Sequence, residues 1–541
     1  MDRLEQVSAE PRARWHSTLD RAGIKRADLV FCLSLANLVV LALWFHLSTL
    51  TDPGMYYYRD HAPDIALYGY GALAAVLGTV GLAVLFLCAA AAARVWGGVR
   101  SRRAMGAVVC GLLIVAVHAI STKVELPSRI VSALTGLLVI LALLVLSGGR
   151  SGRTISRGGF IVLGTLWPLA IITPAAFCWS VYSSPRASAF NNKANAPFLP
   201  VRPGSPRVVW IIFDELDQEL TFPLRPKRVH MPEFDRLRSI SLHAEEAMAA
   251  AFYTSIAFPA LTTGTMVADV RPAGPKTLRV TFEDGSKADW SQTPNIFRTA
   301  RERGFNVGVV GWHHPFCRIF GDVLSGCKWE MNHDAFTTLR REFVYTELPN
   351  GIERLAANGL NRLRGGPAIS NEEYRLVAVE QRAQLDRLIE SASALIADRR
   401  YGLLLLHFPV PHLPSVARVR NGNYFDNLAE TDAILGHLRR KLEDAGLWDS
   451  STLLVTGDHP LRVPVWQLRP MWTAEEAQTA KQRTKLRVPF LLKMAGQNTS
   501  VPYDVEFNTL ITHNLILEVL NGDLQNAGSV VEWLAAVGAH R

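Results

Sequence analysis

The chain divides by its pattern of apolar positions. Between residues 28 and 182, uncharged apolar residues run on for lengths that can cross a bilayer. From about residue 207 onward they come in short bursts, separated by polar stretches of helical period. Five long runs stand out, at about 29–50, 66–93, 104–120, 130–147 and 159–182. They predict five transmembrane helices within a membrane domain of residues 1–182, the shortest run carrying His118. A Pro-, Ala- and Asn-rich linker, "SSPRASAFNNKANAPFLPVRPGSP", covers 183–206 without helical period.

The second half, 207–541, reads differently. "RVVWIIFDELD" opens it with a continuous apolar burst, Val208 to Phe213, of the kind a central parallel strand needs. "TPNIFRTARERGFNVGVVGWHH" predicts a helix, a Gly turn and a strand; "YGLLLLHFPVPHLP" and "STLLVTGDHP" predict further strands. Helices are expected at about 370–399 and 427–445. Strands alternating with helices argue for an α/β domain with a mostly parallel sheet.

Composition sharpens the division. Hydrophobic residues make up 49% of the 541 and charged residues only 19%. The formal net charge is +9, but the basic residues cluster beside the apolar runs, which points to topology and not to nucleic acid. Thirteen Lys and Arg flank the runs on one side and three on the other. The heavier side is expected in the cytoplasm, which places the C-terminal domain outside a multi-pass cytoplasmic (inner) membrane. The first run follows a basic segment without a cleavage site, as a retained anchor would. One helix suffices for anchoring; five suggest a lipid-handling surface as well. Cys317 and Cys327, the two cysteines of the second half, are spaced for a disulfide.

Candidate chemistry gathers where the strands end. In parallel α/β sheets ligands bind beyond the carboxyl ends of the strands. Asp214, His412, Asp458 and His459 all fall there, and two carboxylates with an imidazole suit a divalent metal. Thr254 and Ser255, in "AFYTSIAFPALTTG", offer a hydroxyl at a helix start, where a cap is the plainer reading and an incoming anion is also favoured.

The order of "VVWIIFDE", "TSIAFPALTTG", "FPVPHLP" and "VTGDHP", followed by "KLRVPFLLKMAG" and "FNTLITHNLILEVLNG", resembles the alkaline phosphatase and sulfatase superfamily across roughly 207–522. The resemblance implies that Asp214, Asp458 and His459 hold a metal, with Glu215 as a further acid. It implies that Thr254 is both nucleophile and metal contact, and that His412 contacts the anion or protonates the leaving group. It places His313 near the His of the sulfatase "GKWH" motif, a candidate for substrate binding, and His407, at the end of its strand, is a second such candidate whose place in the site stays open. His513, in an expected helix, reads as structural.

The sequence also departs from that pattern. Formylglycine sulfatases carry Cys or Ser followed by x-Pro-x-Arg; Thr254 is followed by Ser-Ile-Ala-Phe. "HFPVPH" lacks the Asp of the two-zinc phosphodiesterases, so one metal ion is expected: zinc or manganese, with calcium as the alternative. Several spans ahead of such a domain resemble lipoteichoic acid synthase and the lipid A phosphoethanolamine transferases, which have Glu where this chain has Asp214. By that resemblance the expected partners are a membrane lipid donor and an envelope glycolipid or glycan acceptor, with no nucleic acid. The expected function is head-group transfer through a Thr-linked intermediate. The alternatives are a sulfatase-like hydrolase of phosphate or sulfate esters and a non-catalytic envelope binding protein.

Overall fold

The computed structural model describes residues 25–331, 371–412 and 423–538, apart from 51–52, 63–64, 96–102, 104–105, 115–116, 118–127, 148–149, 468 and 470. The N-terminal basic segment, His118 and part of the third apolar run lie outside the described residues. The chain forms two compact units, one of Met1–Asp52 with Pro63–Ser184 and one of Pro53–Ala62 with Pro185–Arg541. The short segment between the first two apolar helices therefore belongs to the second unit.

The first unit is helical, with Arg26–Leu50, Ile65–Val95, Ser128–Ser147, Arg150–Thr165 and Leu169–Tyr182 as its main elements. Among the described residues, three stretches are long and apolar enough to cross a membrane: Tyr68–Ala92, Arg129–Ser147 and Gly158–Tyr182. Leu77, Leu85, Leu143 and Ile161 on them are all more than half exposed, an apolar surface suited to lipid. The last stretch is broken by a turn at Leu166–Pro168, where Leu169 N bonds back to Leu166 O at 3.0 Å. Pro168 has no N–H to carry the α-helical ladder through.

An eight-stranded sheet organises the second unit. In chain order its strands are β1 (Val208–Phe213), β2 (Leu242–Ala244), β3 (Val307–Trp312), β4 (Gly326–Glu330), β5 (Leu403–Phe408), β6 (Thr452–Gly457), β7 (Phe490–Lys493) and β8 (Val501–Tyr503). Their order across the sheet is β8-β2-β7-β6-β1-β5-β3-β4. β6, β1, β5, β3 and β4 run parallel, and β7 runs against its neighbours.

β1 is buried along its whole length, as its unbroken apolar sequence requires. Val208, Trp210 and Ile212 face one core while Val209, Ile211 and Phe213 face the other. The expected long helices are present as Asn371–Ile396 and Tyr424–Asp444, and both contribute to the second core. Arg207 closes the N-terminal edge of the sheet. Its guanidinium donates to Tyr401 O, Ile396 O and Ser451 Oγ at 3.2, 2.6 and 3.2 Å. Cys317 and Cys327 are bonded, joining the turn of helix Phe316–Ile319 to β4.

Candidate active site

β1 and β6 pair in register, Phe213 opposite Gly457, so the residues that follow them emerge side by side. That register brings Asp214 to Asp458 and His459, 244 positions apart in sequence for the two aspartates. All three side chains are fully buried, and one ligand atom from each lies within 4.8 Å of the others. His459 Nε2 is 3.5 Å from Asp214 Oδ1 and 3.6 Å from Asp458 Oδ2. Gly457 permits this closeness: a Cβ there would sit 2.7 Å from the Leu216 carbonyl.

Asp458 is held by its own turn. Its Oδ1 accepts from the N–H groups of Glu215 and His459 at 3.1 and 2.8 Å. Its Oδ2 is buried without a hydrogen-bond partner among the described residues. Burial pushes the Asp214 carboxyl well up, and Asp458 and Glu215 beside it push the same way. Burial also opposes the Asp458 anion, but His459 and His407 outweigh it and hold that group below its ordinary value. Two buried carboxylates, one with an orphaned oxygen, facing one imidazole nitrogen form a donor set that fits a small divalent cation.

Thr254 is the first residue of helix Thr254–Thr263, whose cap residue is Tyr253. Its hydroxyl therefore does not cap the helix. Oγ1 lies 3.4 Å from both Asp214 oxygens and 3.3 Å from His459 Nε2. The helix ends at Gly264, with φ at +69° and His513 packed where a Cβ would stand. That contact and the positive φ account for Gly264.

The remaining candidates separate. His412 is buried, its ring 5.4 Å from that of Trp312, and it favours the nearby Glu215 anion. His313, half-buried, follows the end of β3 with φ at +70°. Burial, then His407 and His412, push its pKa down to about 3. His407 lies inside β5, its ring tilted at 45° to that of Phe258 with centroids 4.3 Å apart, and Nδ1 is 3.2 Å from Trp312 O. Burial pushes its pKa down to about 4, and its Nε2 has no hydrogen-bond partner among the described residues. Its ring is fully enclosed.

Glu215 is not available as a metal ligand in this arrangement. Its φ is +64°, and its carboxylate is engaged instead by Arg462 Nε and Trp466 Nε1, each donating at 2.5 Å. Tyr424 donates to its carbonyl at 2.8 Å. Sequence reasoning missed Arg462, although it stands three residues after His459 in "DHPLRVP". It left His314 open, which reaches Thr254 O through Nε2 at 3.3 Å, and it missed Tyr57, which reaches His314 Nδ1 at 2.8 Å.

A parallel sheet with acids and a histidine at the ends of its central strands, facing a helix-start hydroxyl, defines an alkaline phosphatase-type α/β enzyme. The sulfatase family model matches residues 206–516. The chain belongs to the sulfatase family, a sulfatase-like branch of the alkaline phosphatase superfamily, whose enzymes hydrolyse sulfate or phosphate esters and use metal ions. No curated protein matches it in sequence.

Among solved structures it is similar to an alkaline phosphatase superfamily protein from Vibrio parahaemolyticus. The identity is 14% and the TM-score 0.36, over 60% of this chain and 69% of that one. It is similar to a sulfatase from Pseudoalteromonas at 14% identity and TM-score 0.37, over 61% and 75%. It is also similar to human ectonucleotide pyrophosphatase/phosphodiesterase 5, at 12% and 0.34, over 58% and 95%.

Proposed function

We propose that this chain is a membrane-anchored, metal-dependent transferase that moves a phosphorylated head group from a phospholipid to an envelope glycolipid or glycan. The observation that carries the reading is the position of Thr254 Oγ1, within 3.4 Å of Asp214 and 3.3 Å of His459. The three stretches apolar enough to cross a membrane support a lipid donor.

In the first half-reaction Thr254 Oγ attacks the donor phosphorus. The Oγ–P bond forms as the bond from phosphorus to the lipid oxygen breaks. The threonine proton passes to the Asp214 carboxylate that accepts its hydrogen bond, and His412 protonates the departing lipid alkoxide. In the second, an acceptor hydroxyl gives its proton to His412 and attacks the same phosphorus; the Oγ–P bond breaks, and Asp214 returns its proton to Thr254. A divalent cation held by Asp214, Asp458, His459 and the Thr254 hydroxyl would lower the pKa of that hydroxyl and offset charge on the phosphoryl oxygens. His313 lines the phosphate side.

A second reading, hydrolysis with water as the acceptor, is favoured by the sulfatase match itself. Thr254 cannot be oxidised to formylglycine, which favours phosphate over sulfate esters under either reading.

The test is the intact mass of the Thr254 peptide from protein purified out of native membranes. A head-group increment on Thr254 supports the transferase and identifies the donor. An unmodified peptide, with free head group released in the absence of an acceptor, supports the hydrolase. Thr254→Ala should lower turnover by at least ~100-fold with the fold intact. Retained turnover would refute both and direct attention to Ser255.

A further inference from the structure

The segment between the first two apolar helices is built into the catalytic unit. Pro53–Tyr57 forms one helical turn, with Tyr56 and Tyr57 buried. Arg318 holds its backbone, donating to Tyr57 O at 2.6 Å and Arg59 O at 2.7 Å. Asn192 Nδ2 donates to Asp60 O at 2.7 Å. The Tyr58 ring lies 5.2 Å from His313, and the Tyr56 ring 6.3 Å from Phe190.

One chain of hydrogen bonds then runs from this segment to the nucleophile. The Thr254 carbonyl can only accept, so His314 Nε2 carries the proton and donates at 3.3 Å. The other ring nitrogen, Nδ1, accepts from the Tyr57 hydroxyl at 2.8 Å. Tyr57 thereby fixes the tautomer and the plane of His314, and His314 fixes the backbone from which the Thr254 hydroxyl projects.

We propose that Pro53–Ala62 is a working part of the catalytic centre, with Tyr57 a positioning residue that holds Thr254 through His314. This rests on the reading of Thr254 as nucleophile. It implies that the domain severed at the 183–206 linker lacks part of its own site.

The experiment uses the full chain in detergent with manganese, and compares wild type, Tyr57→Phe and Thr254→Ala. Turnover is measured on bis(p-nitrophenyl) phosphate and p-nitrophenyl sulfate, and hydrogen exchange by mass spectrometry on peptides covering 250–258. Tyr57→Phe keeps the ring and removes one hydrogen bond, worth about tenfold in rate. The expected result is kcat down about tenfold with KM within about twofold, and exchange at 255–258 faster by about tenfold. Exchange in β6 should be unchanged. Unaltered kcat and exchange overturn the proposal. So does a loss of kcat accompanied by faster exchange across the whole domain, the mark of a merely structural residue. If Thr254→Ala keeps its turnover, the nucleophile reading fails, and the exchange at 255–258 still decides whether Tyr57 holds that backbone.

Discussion

Removing Arg462 should unseat the site by way of Glu215. Glu215 is fully buried, follows Asp214 directly and pairs with Arg462, whose side chain is only 20% exposed. Arg462→Ala leaves that carboxylate with Trp466 as its remaining side-chain donor. Breaking a buried pair from one side costs about 3–5 kcal/mol, and the lower end applies because Arg462 is partly solvated and Trp466 still donates. Unfolding entropy of about 2.1 cal/mol/K per residue over roughly 335 residues gives about 0.7 kcal/mol/K, so 3 kcal/mol corresponds to about 4 °C in Tm. Glu215→Gln removes the charge that Arg462 balances and should cost about as much alone. The double variant removes both charges together and should recover about half or more of the summed loss. The assay is a double-mutant cycle by thermal unfolding of the full chain. Additive single losses, with no recovery in the double variant, would refute the claim that this pair neutralises itself beside Asp214.

Three further outcomes follow from the structure. Burial, with the Glu233 and Asp235 carboxylates nearby, pushes Asp432 up to about 6, although it accepts from Glu233 N and Phe234 N at the start of helix Pro232–Ser239. A raised folded-state pKa contributes stability below about pH 4 that is lost as pH rises through about 6. Asp432→Asn should therefore gain up to roughly 2 kcal/mol relative to wild type at pH 8 and little at pH 4, read by denaturant unfolding at both. Replacing Cys317 and Cys327 by Ser opens a ten-residue loop and should cost about 2.7 kcal/mol, read as a lower Tm that reductant no longer changes. Manganese or zinc at 100 times its dissociation constant should stabilise the full chain by about 2.7 kcal/mol, about 4 °C by the same scale. A chelator should reverse this, and Asp458→Asn should abolish it.

What could be read from sequence was what one strand carries by itself. Val208–Phe213 is a strand buried on both faces, and nothing but apolar residues fits there. The acids and histidines at strand ends were legible for the same reason, since a polar residue closing such a run marks the sheet's edge. What could not be read was pairing across the chain. Glu215 and Arg462 are partners over 247 positions, and neither residue type announces the other. His407 carries the same chemistry as His412, yet it lies within β5 while His412 lies beyond that strand's end. Tyr57 sits in "GMYYYRD" between two apolar helices, where an aromatic run reads as a membrane-interface belt. Only the fold shows that it turns toward His314.

The charges around the strand ends then sort themselves by partner. Arg462 is spent on Glu215, and Arg483 is spent on Asp217, two residues further along. His313 and His407 are pushed down to about 3 and 4, so both are neutral at pH 7. Asp214 and Asp458 are left facing His459 and the Thr254 hydroxyl. Glu215 and Asp217 have charged partners, whereas Asp214 and Asp458 are left against a hydroxyl, an arrangement that favours a positive charge beside them. A phosphoryl group entering there brings more negative charge, so the site favours the group only when that positive charge is supplied. On this argument metal binding and substrate binding are coupled. Affinity for a phosphate ester should fall in Asp458→Asn even though that side chain need not touch the ester.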